Sequence, residues 1–108
     1  MNNLVSIITA NYNSEQFISN TIESILRQSY QNWELIIVDD CSNDKSIDII
    51  TSYAKKDSRI RLFVLDVNSG AAIVRNKGIE MSKGNFIAFL DSDDLWLPKK
   101  LELQINFM

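Results

Sequence analysis

Phe86-Ile-Ala-Phe-Leu-Asp91-Ser92-Asp93-Asp94 joins an apolar run of strand length to three carboxylates within four residues. A buried strand does not carry such a cluster, because each unpaired carboxylate is costly to desolvate. The carboxylates therefore emerge at the carboxyl end of the strand and face water, a cation or a ligand. A second run, Leu35-Ile-Ile-Val-Asp39-Asp40, ends in the same way. Two acidic strand ends in one small domain read as the walls of one site.

The rest of the chain alternates around these runs. Leu4-Val-Ser-Ile-Ile-Thr-Ala10 is rich in β-branched residues and predicts a central strand buried on both faces. Asn11-Tyr12-Asn13-Ser14 breaks it with turn and N-cap residues. From Glu15 to Gln28, Phe17, Ile18, Ile22, Ile25 and Leu26 recur at helical spacing, with Glu15, Asn20, Glu23 and Arg27 opposite, which predicts an amphipathic helix. Trp33 to Val38 is a second strand, and Asp39 to Asp44 a turn and cap. A second helix follows with Ile47, Ile50 and Tyr53, and Lys55 and Lys56 lie near its C-terminal dipole. Arg61 to Leu65 predicts a short edge strand. Asn68-Ser69-Gly70 opens a third helix over residues 71–82, with Gly84 expected as the left-handed residue after its end. Beyond the acidic turn, Pro98 is expected at the first position of a last helix, with Leu101 and Ile105 on one face.

This order implies an α/β fold, an open and mainly parallel Rossmann-like sheet with flanking helices and right-handed crossovers. In such sheets ligands bind beyond the carboxyl ends of the strands, at a topological switch point. Both acidic turns lie on that side.

At 108 residues the chain is one domain, and its ordinary apolar content with few Gly and Pro disfavours disorder and low complexity. The net charge of −3, with scattered Lys and Arg, gives no electrostatic footprint for nucleic acid. The single Cys41 excludes an internal disulfide and a Cys-based zinc site. The absence of His excludes a Ser-His or Cys-His nucleophile built from this chain alone. The start, Met1-Asn-Asn-Leu, shows neither signal peptide nor transmembrane span, which points to the cytoplasm, with the inner face of the membrane as an alternative. The last helix runs to Met108 without a cap, which reads as a fragment of a longer domain.

Asp91 and Asp93, two residues apart, would point the same way from an extended strand end. Mg²⁺ or Mn²⁺ takes such oxygen ligands together with phosphate oxygens, and would offset charge on a diphosphate leaving group. Asp94 is a third ligand or caps the turn. The plainer alternative for all three is a solvated turn. Asp39 and Asp40 have the same choice, between contacting a base or ribose and an Asx turn. Arg75 is either a phosphate clamp or a solvated helix charge, Tyr12 a stacking platform or loop packing. Cys41 reads as a small filler, and Trp96 as a packing anchor.

Four segments together resemble the GT-A glycosyltransferases of family 2: Val5 to Asn13, Gln28 to Asp44, Gly70 to Gly78 and Gly84 to Pro98. The similarity covers nearly the whole chain in the right order. It implies a GT-A fold and inverting transfer of a sugar from a nucleotide-diphosphate sugar, commonly a UDP-sugar, assisted by Mn²⁺ or Mg²⁺. The acceptor would be a cell-surface glycan or a lipid-linked precursor. Carried over by position, Ala10 and Tyr12 would line the nucleotide pocket and Asp40 would bind the uracil edge. Arg75 would approach the base or diphosphate. Asp91-Ser92-Asp93 matches the DXD motif, with Asp93 on the metal and Asp91 at the ribose or the metal's waters. Two departures are Ala10, where a Pro is common, and Cys41, where a Gly is common. The family's catalytic base is expected downstream of Met108, so the 108 residues are expected to hold the donor-binding half, to bind nucleotide weakly, and to lack turnover alone. Apolar surface around Trp96, Leu101 and Ile105 is then expected to promote self-association.

Two rivals share the acidic pocket. A receiver-type phospho-acceptor domain needs an acidic pair after the first strand and a Lys after the last, and neither is present. A non-catalytic nucleotide-binding or assembly module on the same scaffold stays open. A phosphate-loop enzyme is disfavoured because no Gly-x₄-Gly-Lys-Ser/Thr occurs.

Overall fold

The computed structural model describes residues 3–106. Strands and helices alternate as β1 Val5–Asn11, α1 Ile18–Leu26, β2 Trp33–Asp39, α2 Ser46–Lys56, β3 Ile60–Val64, α3 Ala71–Met81, β4 Phe86–Phe89 and α4 Lys100–Asn106. The four strands form one parallel sheet in the order β3-β2-β1-β4. The expected α/β sheet is therefore observed, with β3 at one rim as anticipated. The chain moves from β1 through β2 to β3 and then returns to the far side of β1. That reversal makes the switch point, and it lies between β1 and β4.

Alternation along the strands explains the layering. Val5, Ile7, Leu35 and Ile37 face α1 and α2 in the larger core, joined by Ile22, Ile25, Ile50 and Leu101. Ile36 and Val38 point the other way and pack against Val74 of α3. Both faces of β1 and β2 are thus covered, and their sequences read as near-continuous apolar runs.

Glu34 is the polar exception in β2. Its carboxylate accepts from Ser6 Oγ at 2.6 Å, the Lys83 N–H at 2.7 Å and Arg61 at 2.8 Å. Burial raises its pKa, but the Ser6, Lys83 and Arg61 donors outweigh this and hold the carboxyl below its ordinary value. One side chain so ties β1, β3 and the turn before β4 together at the amino end of the sheet.

Several local expectations are corrected. Gly84 is not the left-handed residue after α3, whose end at Ser82 is extended. Glycine is required there for space: a Cβ would sit 2.6 Å from the Leu4 carbonyl oxygen and from Ser6 Oγ. Pro98 precedes α4 by two residues, in a turn closed by the Lys100 N–H on the Leu97 carbonyl at 3.0 Å. Proline's fixed φ suits the second position of such a turn as well as a helix start. α1 begins at Ile18, later than Glu15, because Ser14 O takes the N–H groups of Phe17 and Ile18 in a preceding turn. Phe17 is accordingly exposed rather than on the buried helix face. The readings of Met1-Asn2 and of the chain end at Met108 lie outside the described residues. No helix among the described residues is long and apolar enough to cross a membrane.

Candidate functional site

A cavity of about 570 Å³ opens at the carboxyl ends of β1, β2 and β4, where the topology places the switch point. Ala10, Tyr12, Asp40, Asp91 and Asp93 all line it. Arg75 does not; it lines a smaller cavity of about 120 Å³ that shares Ala10, Ala71 and Asp91 with the first. Five of the six residues named from sequence thus meet in one place, and the sixth is one wall away. Tyr12 and Phe17 stand exposed at the mouth, two flat apolar faces beside an acidic interior. Phe17 was missed because helical periodicity assigned it to the core. Asn11 and Asn68 were missed as lining residues because Asn at a strand end or helix start is ordinarily turn chemistry.

The two aspartates after β2 divide their work. Asp39 is fully buried and accepts from Asn11 Nδ2 at 2.7 Å, Ser42 Oγ at 2.6 Å and the Ser42 N–H at 2.8 Å. It is the Asx-type turn residue, and it locks the end of β1 to the turn before α2. Asp40 reaches across to α3. Its Oδ1 accepts the Ser69 N–H at 2.7 Å and its Oδ2 the Gly70 N–H at 3.0 Å. Negative charge at a helix N-terminus is favourable on both hydrogen-bond and dipole grounds. A base N–H meeting Asp40 would have to share a carboxylate already engaged on both oxygens. Gly70 has φ +92, a conformation that a side chain disfavours.

Asp44 stitches the same rim from the side. It accepts the Ser46 N–H at 2.9 Å at the start of α2 and the Glu15 N–H at 3.1 Å from the loop after β1. Burial pushes its pKa up, but the Ser46 and Glu15 donors outweigh that and lower it.

The acidic motif itself is not an extended strand end. β4 stops at Phe89, and the Asp94 N–H donates to the Asp91 carbonyl at 3.0 Å, closing a tight turn. The turn is gripped through Ser92, whose Oγ lies 2.6 Å from Ser14 Oγ, and through the carbonyls of Ser92 and Asp94, near Thr21 Oγ1 at 2.7 and 2.9 Å. Asp94 is not a lining residue; its carboxylate accepts the Leu95 N–H at 3.2 Å. Asp91 and Asp93 are exposed, and no described group hydrogen-bonds to either side chain. Two unengaged carboxylates on a fixed turn form a donor set that a hard divalent cation accepts, with phosphate oxygens and water completing its shell. No three His, Cys, Asp or Glu side chains among the described residues are grouped to hold a metal unaided.

Fold and cavity together define a parallel α/β domain with an acidic cavity at its switch point. The chain belongs to glycosyl transferase family 2, whose family model matches residues 6–108. It is 52% identical over 105 residues to a Bacillus subtilis (strain 168) protein named "Putative teichuronic acid biosynthesis glycosyltransferase TuaG", covering 97% of this chain and 42% of that protein. It is 48% identical over 105 residues to WfgD of Escherichia coli, covering 97% of this chain and 41% of the other. WfgD is named as a UDP-Glc:alpha-D-GlcNAc-diphosphoundecaprenol beta-1,3-glucosyltransferase. The chain therefore spans about two fifths of the length of these relatives. Among solved structures, S. aureus TarS 1-349 in complex with UDP-GlcNAc matches with a TM-score of 0.90 at 32% identity, over 95% of this chain and 30% of that one. The fold also matches the Pyrobaculum calidifontis mannosyltransferase PcManGT in complex with GDP-Man and Mn²⁺, at a TM-score of 0.80 and 24% identity, over 85% of this chain and 28% of that one.

Proposed function

We propose that the chain is the donor-binding part of an inverting glycosyltransferase that takes a nucleotide-diphosphate sugar, with a UDP-sugar favoured, and a divalent cation. The observation that carries this reading is the cavity at the switch point walled together by Tyr12, Asp40, Asp91 and Asp93. The base stacks at Tyr12 near Ala10 and the Asp40 rim, and the diphosphate lies towards Asp91 and Asp93, with Arg75 adjacent. Asp93 holds the metal and Asp91 the ribose or the metal's waters. When bound, Mn²⁺ or Mg²⁺ supplies Lewis-acid neutralisation of the diphosphate as it leaves. In the transfer an acceptor hydroxyl oxygen bonds to the anomeric carbon, the bond from that carbon to the diphosphate oxygen breaks, and the hydroxyl proton passes to a base. No residue of this chain is assigned as that base. The acceptor is a cell-envelope glycan or lipid-linked saccharide, a class supported by the acceptor in WfgD's name.

The test is a thermal-unfolding series with UDP, GDP and Mn²⁺, each alone and combined. Ligand at tenfold its Kd adds about 1.4 kcal/mol, which raises Tm by several degrees for a domain of this size. The expected result is a rise that needs UDP and Mn²⁺ together and disappears in Asp93→Ala. A rise with UDP that ignores both Mn²⁺ and Asp93→Ala would remove the metal from the reading, and no rise with any nucleotide would remove the donor.

We also propose self-association through exposed apolar surface, around a groove that Trp96 lines as named by sequence, but with other residues as its most exposed apolar groups. Leu101 is buried in the main core, and Trp96 and Ile105 pack against it. Leu95, Leu97 and Leu103 are the exposed ones, lining a groove beside α4.

A further inference from the structure

Three buried polar side chains, Thr21, Ser24 and Gln28, run along one edge of α1 and just past its end. Their spacing of i, i+3 and i+7 puts them on a single stripe, where a core-facing helix ordinarily carries apolar residues. Each meets the backbone of residues 92–101. Thr21 Oγ1 lies 2.7 Å from the Ser92 carbonyl oxygen and 2.9 Å from that of Asp94. Ser24 Oγ accepts the Trp96 N–H at 3.3 Å. Gln28 Nε2 donates to the Leu97 carbonyl at 2.8 Å, and its Oε1 accepts the Leu101 N–H at 3.1 Å. A hydroxyl has one proton, so Thr21 shares it between the two carbonyls of the turn, with the Phe17 carbonyl a third neighbour at 3.2 Å. The acidic turn is thus held entirely by Ser92 and by backbone carbonyls, which leaves the Asp91 and Asp93 carboxylates unengaged.

We propose that Thr21 is a positioning residue whose hydroxyl fixes the Asp91–Asp94 turn in the geometry that presents both carboxylates to a divalent cation. The cation half of this rests on the donor-site reading above. The clamp itself rests on the hydrogen bonds alone. Metal ligands are held in register by the groups behind them, and removing such a group typically weakens metal binding roughly 10–100-fold. A turn released from Thr21 would have to reorder its two carboxylates each time metal bound, at a cost in conformational entropy.

The experiment is ¹⁵N NMR of the chain with Thr21→Val, which keeps the shape and removes the hydroxyl, and Thr21→Ser, which restores the donor. In Thr21→Val the amides of Ser92, Asp93 and Asp94 should shift and gain fast motion, and Thr21→Ser should return them to the parent state. Mn²⁺ alone, followed by paramagnetic broadening of the Asp91–Asp94 amides, should need about tenfold higher concentration in Thr21→Val than in the parent or in Thr21→Ser. Urea unfolding separates a global loss of stability from this local effect. Should Thr21→Val fail to fold, Thr21→Cys, with a much weaker donor, gives the same comparison. Turn amides that do not change overturn the proposal whatever binds. A loosened turn with an unchanged Mn²⁺ titration overturns positioning for the cation. Absence of local broadening in the parent overturns the cation half through the donor-site reading, and a loosened turn in the same samples still supports the clamp.

Discussion

At the scale of single residues, two positions carry measurable consequences. Cys41, which the resemblance marks as a site where glycine is common, has φ +65. The left-handed conformation costs a residue with a Cβ roughly 1–2 kcal/mol, against roughly 0.5–1 kcal/mol of extra chain entropy that glycine loses on folding. Cys41→Gly is therefore expected to stabilise the domain by about 0.5–1 kcal/mol in urea unfolding, and a loss of stability would show that the Sγ contact to the Asp66 carbonyl at 3.5 Å outweighs the strain. Glu34 contributes to the loss of stability in acid. Its pKa is lowered in the folded state, so its contribution is fully present above its ordinary value of 4.5 and is lost as pH falls through the folded value. Stability should decline below about pH 4.5, and Glu34→Gln should flatten that decline while lowering stability at neutral pH. Parallel pH curves for the two proteins would contradict this.

At the scale of elements, α1 has two unlike jobs. Its Ile18, Ile22 and Ile25 stripe fills the core, and its Thr21, Ser24 and Gln28 stripe holds the segment that carries the acidic turn and starts α4. Gln28→Leu keeps the volume but leaves the Leu101 N–H without its side-chain partner, and leaves the Leu97 carbonyl with the Lys100 N–H alone. A buried group left unsatisfied costs roughly 1–3 kcal/mol, so a loss of about 2 kcal/mol is expected in denaturant unfolding. Hydrogen exchange should place the loosening in residues 97–103 rather than in β1 and β2, and uniform loosening would argue against the stripe. The amphipathic helix was legible from its isoleucines. Its polar stripe was not, because Thr, Ser and Gln between apolar residues look the same whether they meet solvent or another segment's backbone.

At the scale of the whole molecule, the sheet is well covered in its centre and bare at one rim. Among the described residues β4 pairs only with β1, and Ile87 and Phe89 on one of its faces are exposed, as are Leu95, Leu97 and Leu103 in the segment after it. The groove lined by Leu95, Leu97 and Leu103 is apolar surface of the kind that associates. Apparent mass in light scattering should rise with protein concentration, and Leu97→Ser with Leu103→Ser should reduce the rise. A single mass at all concentrations would show that the groove beside α4 is no interface.

Local signals alone determined the element order, the parallel sheet and the two acidic strand ends, because apolar periodicity and turn residues act between near neighbours in the chain. The same signals marked Asp40, Asp91 and Asp93 as one cluster, since in a parallel sheet every strand's carboxyl end falls on one side, and the family resemblance added Ala10 and Tyr12. What only the tertiary structure decided was how those groups are held. Asp40 is engaged by the α3 N-terminus, Gly84 is needed for space against β1, and the acidic turn is clamped by Thr21 from 71 residues away. Such contacts depend on which side chain meets which distant backbone group once the layers have packed. That meeting is set by the three-dimensional register of the packed elements, and no window of neighbouring residues contains it.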